Sequence, residues 1–157
     1  NEISKITYLI GSDVILGMYS NKFLILKSNK KIVEFESKKK FYTLLVKPNF
    51  GCSTKKIYAG IKKFQKPKLN KFKNIILDPK FLLKMSNDLE IIAFKKYPKL
   101  NRLKSFLEKM SQVDFVRMSG SGSAIIAYFS SARMCKEAEK KVRKEFRNYW
   151  FKISKTI

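Results

Sequence analysis

The stretch F-V-R-M-S-G-S-G-S-A-I-I-A-Y-F, residues 115–129, decides the fold. Phe115 to Met118 and Ala124 to Phe129 read as strands, apolar and rich in β-branched and aromatic residues, around a Ser/Gly loop. Ser130 or Ser131 then caps a helix whose Cys135, Ala138, Val142 and Phe146 recur at helical spacing and face inward. Tyr149 to Ile153 closes the chain as a final strand. Two strands joined by a short loop, one helix and a last strand point to an α+β domain with antiparallel character.

Working upstream, Pro98 suits the first turn of a helix with Leu100, Leu103, Leu107 and Met110 on one face. Asn87 followed by Glu90 has the spacing of a capping box, opening a helix with Leu89, Ile92, Ala93 and Tyr97 on its inner side. Residues 62–73, Lys-rich and holding Pro67, are the most linker-like segment. Ser53 or Thr54 caps a short helix through Ile57, Tyr58 and Ile61, after a loop at Pro48–Gly51. Phe41 to Val46 is apolar on both faces and reads as a central strand. Phe23–Leu26 and Ile32–Phe35 read as a strand pair joined by a turn at Lys27-Ser28-Asn29-Lys30. Ile6 to Ile10 reads as the last turns of a helix or a short buried element, broken by Gly11-Ser12-Asp13.

At 157 residues the length allows one domain with a core of its own. Histidine is absent, which excludes His-based nucleophilic triads and His-ligated zinc. Any proton acceptor is then Asp, Glu, Lys, Tyr or Cys. Cys52 and Cys135 stand far apart with no metal-ligand spacing and read as free thiols of a reducing compartment. No apolar run approaches the roughly 18 residues of a membrane-spanning helix, and the N-terminus has no signal-peptide pattern. A cytoplasmic protein is expected, with no membrane partner. The chain starts at Asn1 and runs at once into apolar sequence, as a chain entered midway does.

The formal net charge is +23, from 35 Lys+Arg against 12 Asp+Glu. Nucleic acid is the first partner such a charge brings to mind. Yet 30 of those cations are lysine and only 5 arginine, spread over nearly every surface segment, and arginine is the better bidentate reader of bases and phosphates. Lys, Ile, Asn and Phe are together the residues of AT-rich codons, so genome composition explains most of the charge. The alternative of a basic nucleic-acid-binding α+β module is disfavoured, and no nucleic-acid partner is expected. Long-range attraction of anionic ligands remains.

Four segments carry possible chemistry, and each also has a plain structural reading. In I-G-S-D-V-I-L-G (10–17), Asp13 is a lone carboxylate among apolar residues, either a proton acceptor or, with Ser12, a helix cap. In L-L-V-K-P-N-F-G-C-S-T-K-K-I-Y (44–58), the hydroxyls, cations and Tyr58 either hold a phosphorylated or nucleotide ligand or form a strand-to-helix loop with a core tyrosine. S-N-D-L-E (86–90) is explained by helix capping. M-S-G-S-G-S (118–123) either presents backbone N–H groups to an anion or is a ligand-free hairpin loop. It is not a P-loop, since no Gly-Lys-Ser/Thr follows.

The order and spacing of these four blocks resemble the C-terminal half of the GHMP family of small-molecule kinases. Within it they are most similar to the branch acting on 4-diphosphocytidyl-2-C-methyl-D-erythritol rather than on homoserine, mevalonate or galactose. The resemblance implies a GHMP C-terminal domain, an antiparallel sheet with helices packed on one face as in a ferredoxin-like plait, over residues 23–157. Residues 1–22 would be the end of the ATP-binding domain. Kinases of this branch transfer the ATP γ-phosphate, with Mg2+ as the nucleotide's counter-ion, to the tertiary 2-hydroxyl of the diphosphocytidyl substrate in non-mevalonate isoprenoid synthesis. The alternative within the family is a different small alcohol.

By the same resemblance Asp13 aligns with the catalytic aspartate, and Thr54 and Tyr58 fall where the family contacts the cytidine end. Tyr58 stands in place of the commoner Phe. Gly120, Ser121 and Gly122 match the motif that buttresses the phosphate loop. Ile15 stands where the family usually has Pro, leaving the turn after Asp13 less rigid. The family's Gly-rich ATP loop and catalytic lysine belong to a preceding half with no counterpart in residues 1–157. The chain by itself is therefore expected neither to bind ATP tightly nor to turn over.

Overall fold

The two strands expected within residues 115–129 set the architecture of the sheet. In the computed structural model, which describes residues 6, 7, 9, 10, 14, 23–26, 32–35, 40–65 and 79–156, Phe115–Met118 forms β4 and Ile125–Phe129 forms β5. They pair antiparallel with Val116 opposite Ala127 and Met118 opposite Ile125. The chain divides into two compact units, Asn1–Lys39 and Lys40–Thr156. In the first, Phe23–Leu26 (β1) and Ile32–Phe35 (β2) pair antiparallel with Leu26 opposite Ile32. Ile6, Thr7, Leu9 and Ile10 are helical. The turn expected at Lys27–Lys30, the break at Gly11–Asp13 and the Pro67 part of the linker-like segment lie outside the described residues.

In the second unit Tyr42–Lys47 is β3 and Trp150–Lys155 is β6, and the sheet runs β4-β5-β3-β6 with all pairs antiparallel. β3 is interior, as an apolar run on both faces predicts. Its helices are Thr54–Tyr58 (α1), Pro79–Leu83 (α2), Asp88–Lys96 (α3), Pro98–Glu108 (α4) and Ala132–Glu145 (α5). The order β-α-β-β-α-β with β3 and β5 central is the ferredoxin-like plait.

Period two places Leu44, Val46, Val116, Met118, Ile125, Ala127 and Phe129 on one sheet face, and all are buried. Onto that face α4 lays Leu100, Leu103 and Leu107, and α5 lays Cys135, Ala138 and Val142, making one continuous core. The opposite face is aromatic. Phe115 and Tyr128 stack at 4.2 Å, and Phe41 meets both edge-on at 5.6 and 6.0 Å. Burial there raises the Tyr128 pKa, and the nearby Arg117 charge opposes it. Arg117 itself reaches the carbonyls of Leu82, Leu83 and Met85 at 2.7, 3.0 and 2.6 Å. It thereby satisfies the carbonyl end of α2, an element with no periodic signature of its own.

Several boundaries differ from the sequence reading: β3 runs Tyr42–Lys47 rather than Phe41–Val46, and β5 starts at Ile125 rather than Ala124. α1 stops at Tyr58, before Ile61. The last strand starts at Trp150 rather than Tyr149, because the Tyr149 N–H is taken by the Phe146 carbonyl at 3.1 Å in the turn after α5. It continues to Lys155, where the neighbouring Thr156 N–H closes on the Phe41 carbonyl at 2.9 Å. Cys52 and Cys135 are free thiols. No helix among the described residues is long and apolar enough to cross a membrane.

Candidate functional site

The end of β3, the β4–β5 connection and the start of α3 lie at the same end of the sheet, because Val46 pairs with Ile125 and Ile125 with Met118. Three of the four sequence blocks therefore meet there. The β4–β5 connection is a tight turn: Ser119 N–H donates to Ala124 O and Gly122 N–H to Ser119 O, both at 2.9 Å. Gly120 and Gly122 take φ values of +52° and +88°, a region that side-chain-bearing residues enter at a cost. At Gly122 the space is also tight, since a Cβ would stand 3.1 Å from Met118 Sδ and 3.2 Å from Cys52 Sγ.

Across the turn, the β3–α1 loop is pinned from two directions. Ser123 Oγ donates to Phe50 O at 2.8 Å, and Ser53 N–H donates to Tyr97 OH at 3.2 Å. Phe50 stacks on Tyr97 with ring centroids 5.9 Å apart. Ser53 caps α1, its Oγ accepting from Lys56 N–H at 3.3 Å. Thr54, the first residue of α1, then meets the turn directly, with its Oγ1 2.9 Å from Ser121 Oγ. Tyr58 lies one helical turn further on the same side of α1. It is 51% exposed, so the core-tyrosine reading does not hold. Its ring sits 6.4 Å from that of the equally exposed Phe64. Lys55 and Lys56 are exposed beside them and give this surface a positive potential.

Thr54, Tyr58, Gly120, Ser121 and Gly122 thus belong to one region. Asp13 lies outside the described residues. Cys52, packed against Gly122, is no nucleophile candidate, because burial raises its thiol pKa. Among the described residues no three or more His, Cys, Asp or Glu side chains come together as a metal site.

The Asn87–Glu90 segment turns out to do more than cap. Asn87 Oδ1 accepts from Leu89 N–H at 3.0 Å, as a cap should. Its Nδ2 donates to Met118 O at 3.2 Å and to Gly120 O at 2.7 Å. Glu90 does not reach back to close the capping box. Buried, it accepts from Met118 N–H at 2.8 Å and pairs with Lys104 Nζ at 2.7 Å. The sequence reading missed both roles. One signal was available: Glu90 sits three and seven residues before Ala93 and Tyr97, on the inner side of its own helix, where an ion needs a partner.

The family model described as GHMP kinases C terminal matches residues 62–148. The chain is 48% identical over 157 residues to the 4-diphosphocytidyl-2-C-methyl-D-erythritol kinase of Pelagibacter ubique, covering 100% of this chain and 56% of that protein. To the kinase of the same name from Clostridium tetani it is 31% identical over 162 residues, covering 99% and 57%. The chain thus spans little more than half the length of the curated relatives it matches. Among solved structures, a 4-(cytidine 5'-diphospho)-2C-methyl-D-erythritol kinase superposes with a TM-score of 0.65 at 16% identity, covering 93% of this chain and 54% of that one. The homoserine kinase of Cytophaga hutchinsonii gives 0.65 at 14%, covering 87% and 48%. At such identities these two establish likeness of fold.

Proposed function

The chain belongs to the GHMP kinases, and from that premise we propose that it serves ATP-dependent phosphorylation of the 2-hydroxyl of 4-diphosphocytidyl-2-C-methyl-D-erythritol. The observation that carries this reading is the contact between Thr54 and Ser121 at 2.9 Å. It joins the block expected at the cytidine end to the block expected at the phosphates, with Tyr58 exposed one turn away as a stacking face. The 48% identity to the Pelagibacter kinase over the whole chain supports this alcohol over others.

On this reading residues 23–157 form the C-terminal GHMP domain and residues 1–22 the end of the ATP-binding domain. Asp13 accepts the proton of the attacking hydroxyl. The hydroxyl oxygen bonds to the γ-phosphorus as the bond to the β-phosphate oxygen breaks, and ADP leaves. In such transfers positioning and charge stabilisation supply most of the rate. Gly120, Ser121 and Gly122 support the loop that holds the phosphates. Mg2+ would enter as the nucleotide's counter-ion and would supply charge neutralisation there, and no described residue is assigned to it. The partners are then a diphosphate-bearing small molecule and ATP, in the cytoplasm. The lysine excess draws these anions in and needs no nucleic acid to account for it.

The test uses the protein expressed from its complete coding sequence. The wild type should phosphorylate the diphosphocytidyl substrate and not homoserine or mevalonate. Asp13→Asn should lower kcat by at least about a thousandfold while leaving the fold intact. Turnover near that of the wild type in this variant removes Asp13 from the reaction, and preference for another alcohol overturns the substrate.

A further inference from the structure

We propose that Asn87 and Glu90 are positioning residues that clamp the Ser119–Ala124 turn into its working conformation. The inference rests on the kinase reading for its consequence, but the clamp itself is a matter of geometry.

The turn is held through the N–H and the C=O of Met118, which belong to successive peptides, and through the carbonyl of Gly120. Glu90 Oε1 takes the Met118 N–H at 2.8 Å, while Asn87 Nδ2 gives its hydrogens to Met118 O at 3.2 Å and Gly120 O at 2.7 Å. A trans peptide is planar, with its C=O and N–H pointing opposite ways. Tying Gly120 O to Asn87 therefore turns the Ser121 N–H away from Asn87. That N–H makes no hydrogen bond among the described residues, so it stands ready as a donor. The Ser121 hydroxyl is aimed in turn by Thr54 at 2.9 Å.

The clamp is itself anchored. Asn87 cannot swing without losing the Leu89 N–H that opens α3. Glu90 cannot leave without taking from Lys104, whose side chain is only 14% exposed, the nearer of its two carboxylate partners. Without the clamp, the turn keeps two internal hydrogen bonds and the side-chain contacts of Ser121 with Thr54 and Ser123 with Phe50, but nothing fixes the Gly120 carbonyl between two glycines, whose backbone freedom is large. A donor array of that kind helps transfer only when it is fixed beforehand, because ordering it on binding consumes part of the interaction.

Capping and clamping are separable at Asn87. Asn87→Ser keeps an effective cap but is too short to reach Met118 O and Gly120 O. In the protein expressed from its complete coding sequence, the thermal midpoint should stay within about 3 °C of wild type. The amide resonances of Gly120, Ser121 and Gly122 should move and their hydrogen exchange should quicken at least tenfold. The value of kcat should fall at least tenfold, with a smaller change in KM for the diphosphocytidyl substrate. Should Asn87→Ser fail to fold, Asn87→Asp takes its place. It too can cap, and it sets a carboxylate against two carbonyl oxygens, so the same losses are expected.

A folded variant with unchanged turn amides and kcat within twofold of wild type overturns the proposal. Moved amides with unchanged kcat also overturn it, because the turn's conformation then does not govern the reaction. If the wild type transfers no phosphate to this substrate, the kinase reading fails instead. The amide readout still decides the clamp in that case, and unchanged amides refute it.

Discussion

Asn87 and Ser131 open α3 and α5 with the same device, a polar side chain accepting a backbone N–H of the first turn. Beyond the cap the two helices diverge. α5 keeps its cap and most of its ion pairs local: Ser131 Oγ accepts from Met134 N–H at 3.2 Å, and Arg133 pairs with Glu137 and Arg143 with Glu139 at i,i+4, while Glu145 at its end reaches Arg102 of α4. Its inner stripe of Cys135, Ala138 and Val142 is purely apolar. α3 is tied outward instead. Its cap holds a turn 31 and 33 residues away in sequence, and its first-turn glutamate is buried against a lysine of α4. α5 is thus a structural helix whose polar groups serve itself and its packing, through Glu145 to Arg102 of α4 and Arg143 over Phe151, whereas α3 directs its polar groups to the candidate site.

The sharpest way to break this contrast is to remove the buried charge. Glu90→Ala leaves the Met118 N–H without its acceptor and Lys104 with only the exposed Glu108, 3.4 Å away. Loss of one partner from a buried ion pair should cost about 3 kcal/mol, read as a lower urea midpoint. A cost below about 1 kcal/mol would mean that Lys104 relaxes to solvent and that the buried pair is not what ties α3 to its surroundings.

The difference between the helices also marks where sequence reasoning ran out. The stripe of α5, its start to within one residue and the strands on either side to within two were legible, because each signal lies within one turn of helix or one pleat of strand. The same holds for Leu100, Leu103 and Leu107. The motif order of Thr54, Tyr58 and Gly120–Gly122 was legible as well. What a local pattern cannot carry is the meeting of Thr54 with Ser121, or of Glu90 with Met118. Those contacts follow from the register of β3, β5 and β4, set by residues far from either partner. Asn87 and Glu90 matched a capping box, and the local explanation masked the distant one. The pattern left Tyr58 open between a core tyrosine and a ligand-facing one, and a one-residue step around a short helix separates the buried Ile57 from the exposed Tyr58.

A smaller effect is expected from the cap of α5. Ser131→Ala removes the acceptor for Met134 N–H and should lower stability by about 1 kcal/mol. Because nothing at the β4–β5 turn depends on Ser131, turnover and the Gly120–Gly122 amide resonances should match wild type. A loss of turnover there would erase the distinction between the two helix starts.

The smallest effect is expected at Glu139, whose carboxylate lies 2.7 Å from Arg143 Nη2. Arg143 also sits over the Phe151 ring at 4.5 Å, a contact that survives loss of the carboxylate. Glu139→Ala should therefore cost about 0.3 kcal/mol, against the tenfold larger figure for Glu90. Its finer consequence is chemical. The buried Cys135 thiol is pushed up to about 11, mainly by desolvation and then by the negative charge of Glu139. Removing that charge lowers the Cys135 pKa, so at pH 9 the native thiolate fraction rises and alkylation quickens modestly. The dominant desolvation remains, and Cys135 should still react far more slowly than it does in the urea-unfolded chain. Fast alkylation of the folded variant would mean that Glu139 helps hold α5 against the sheet.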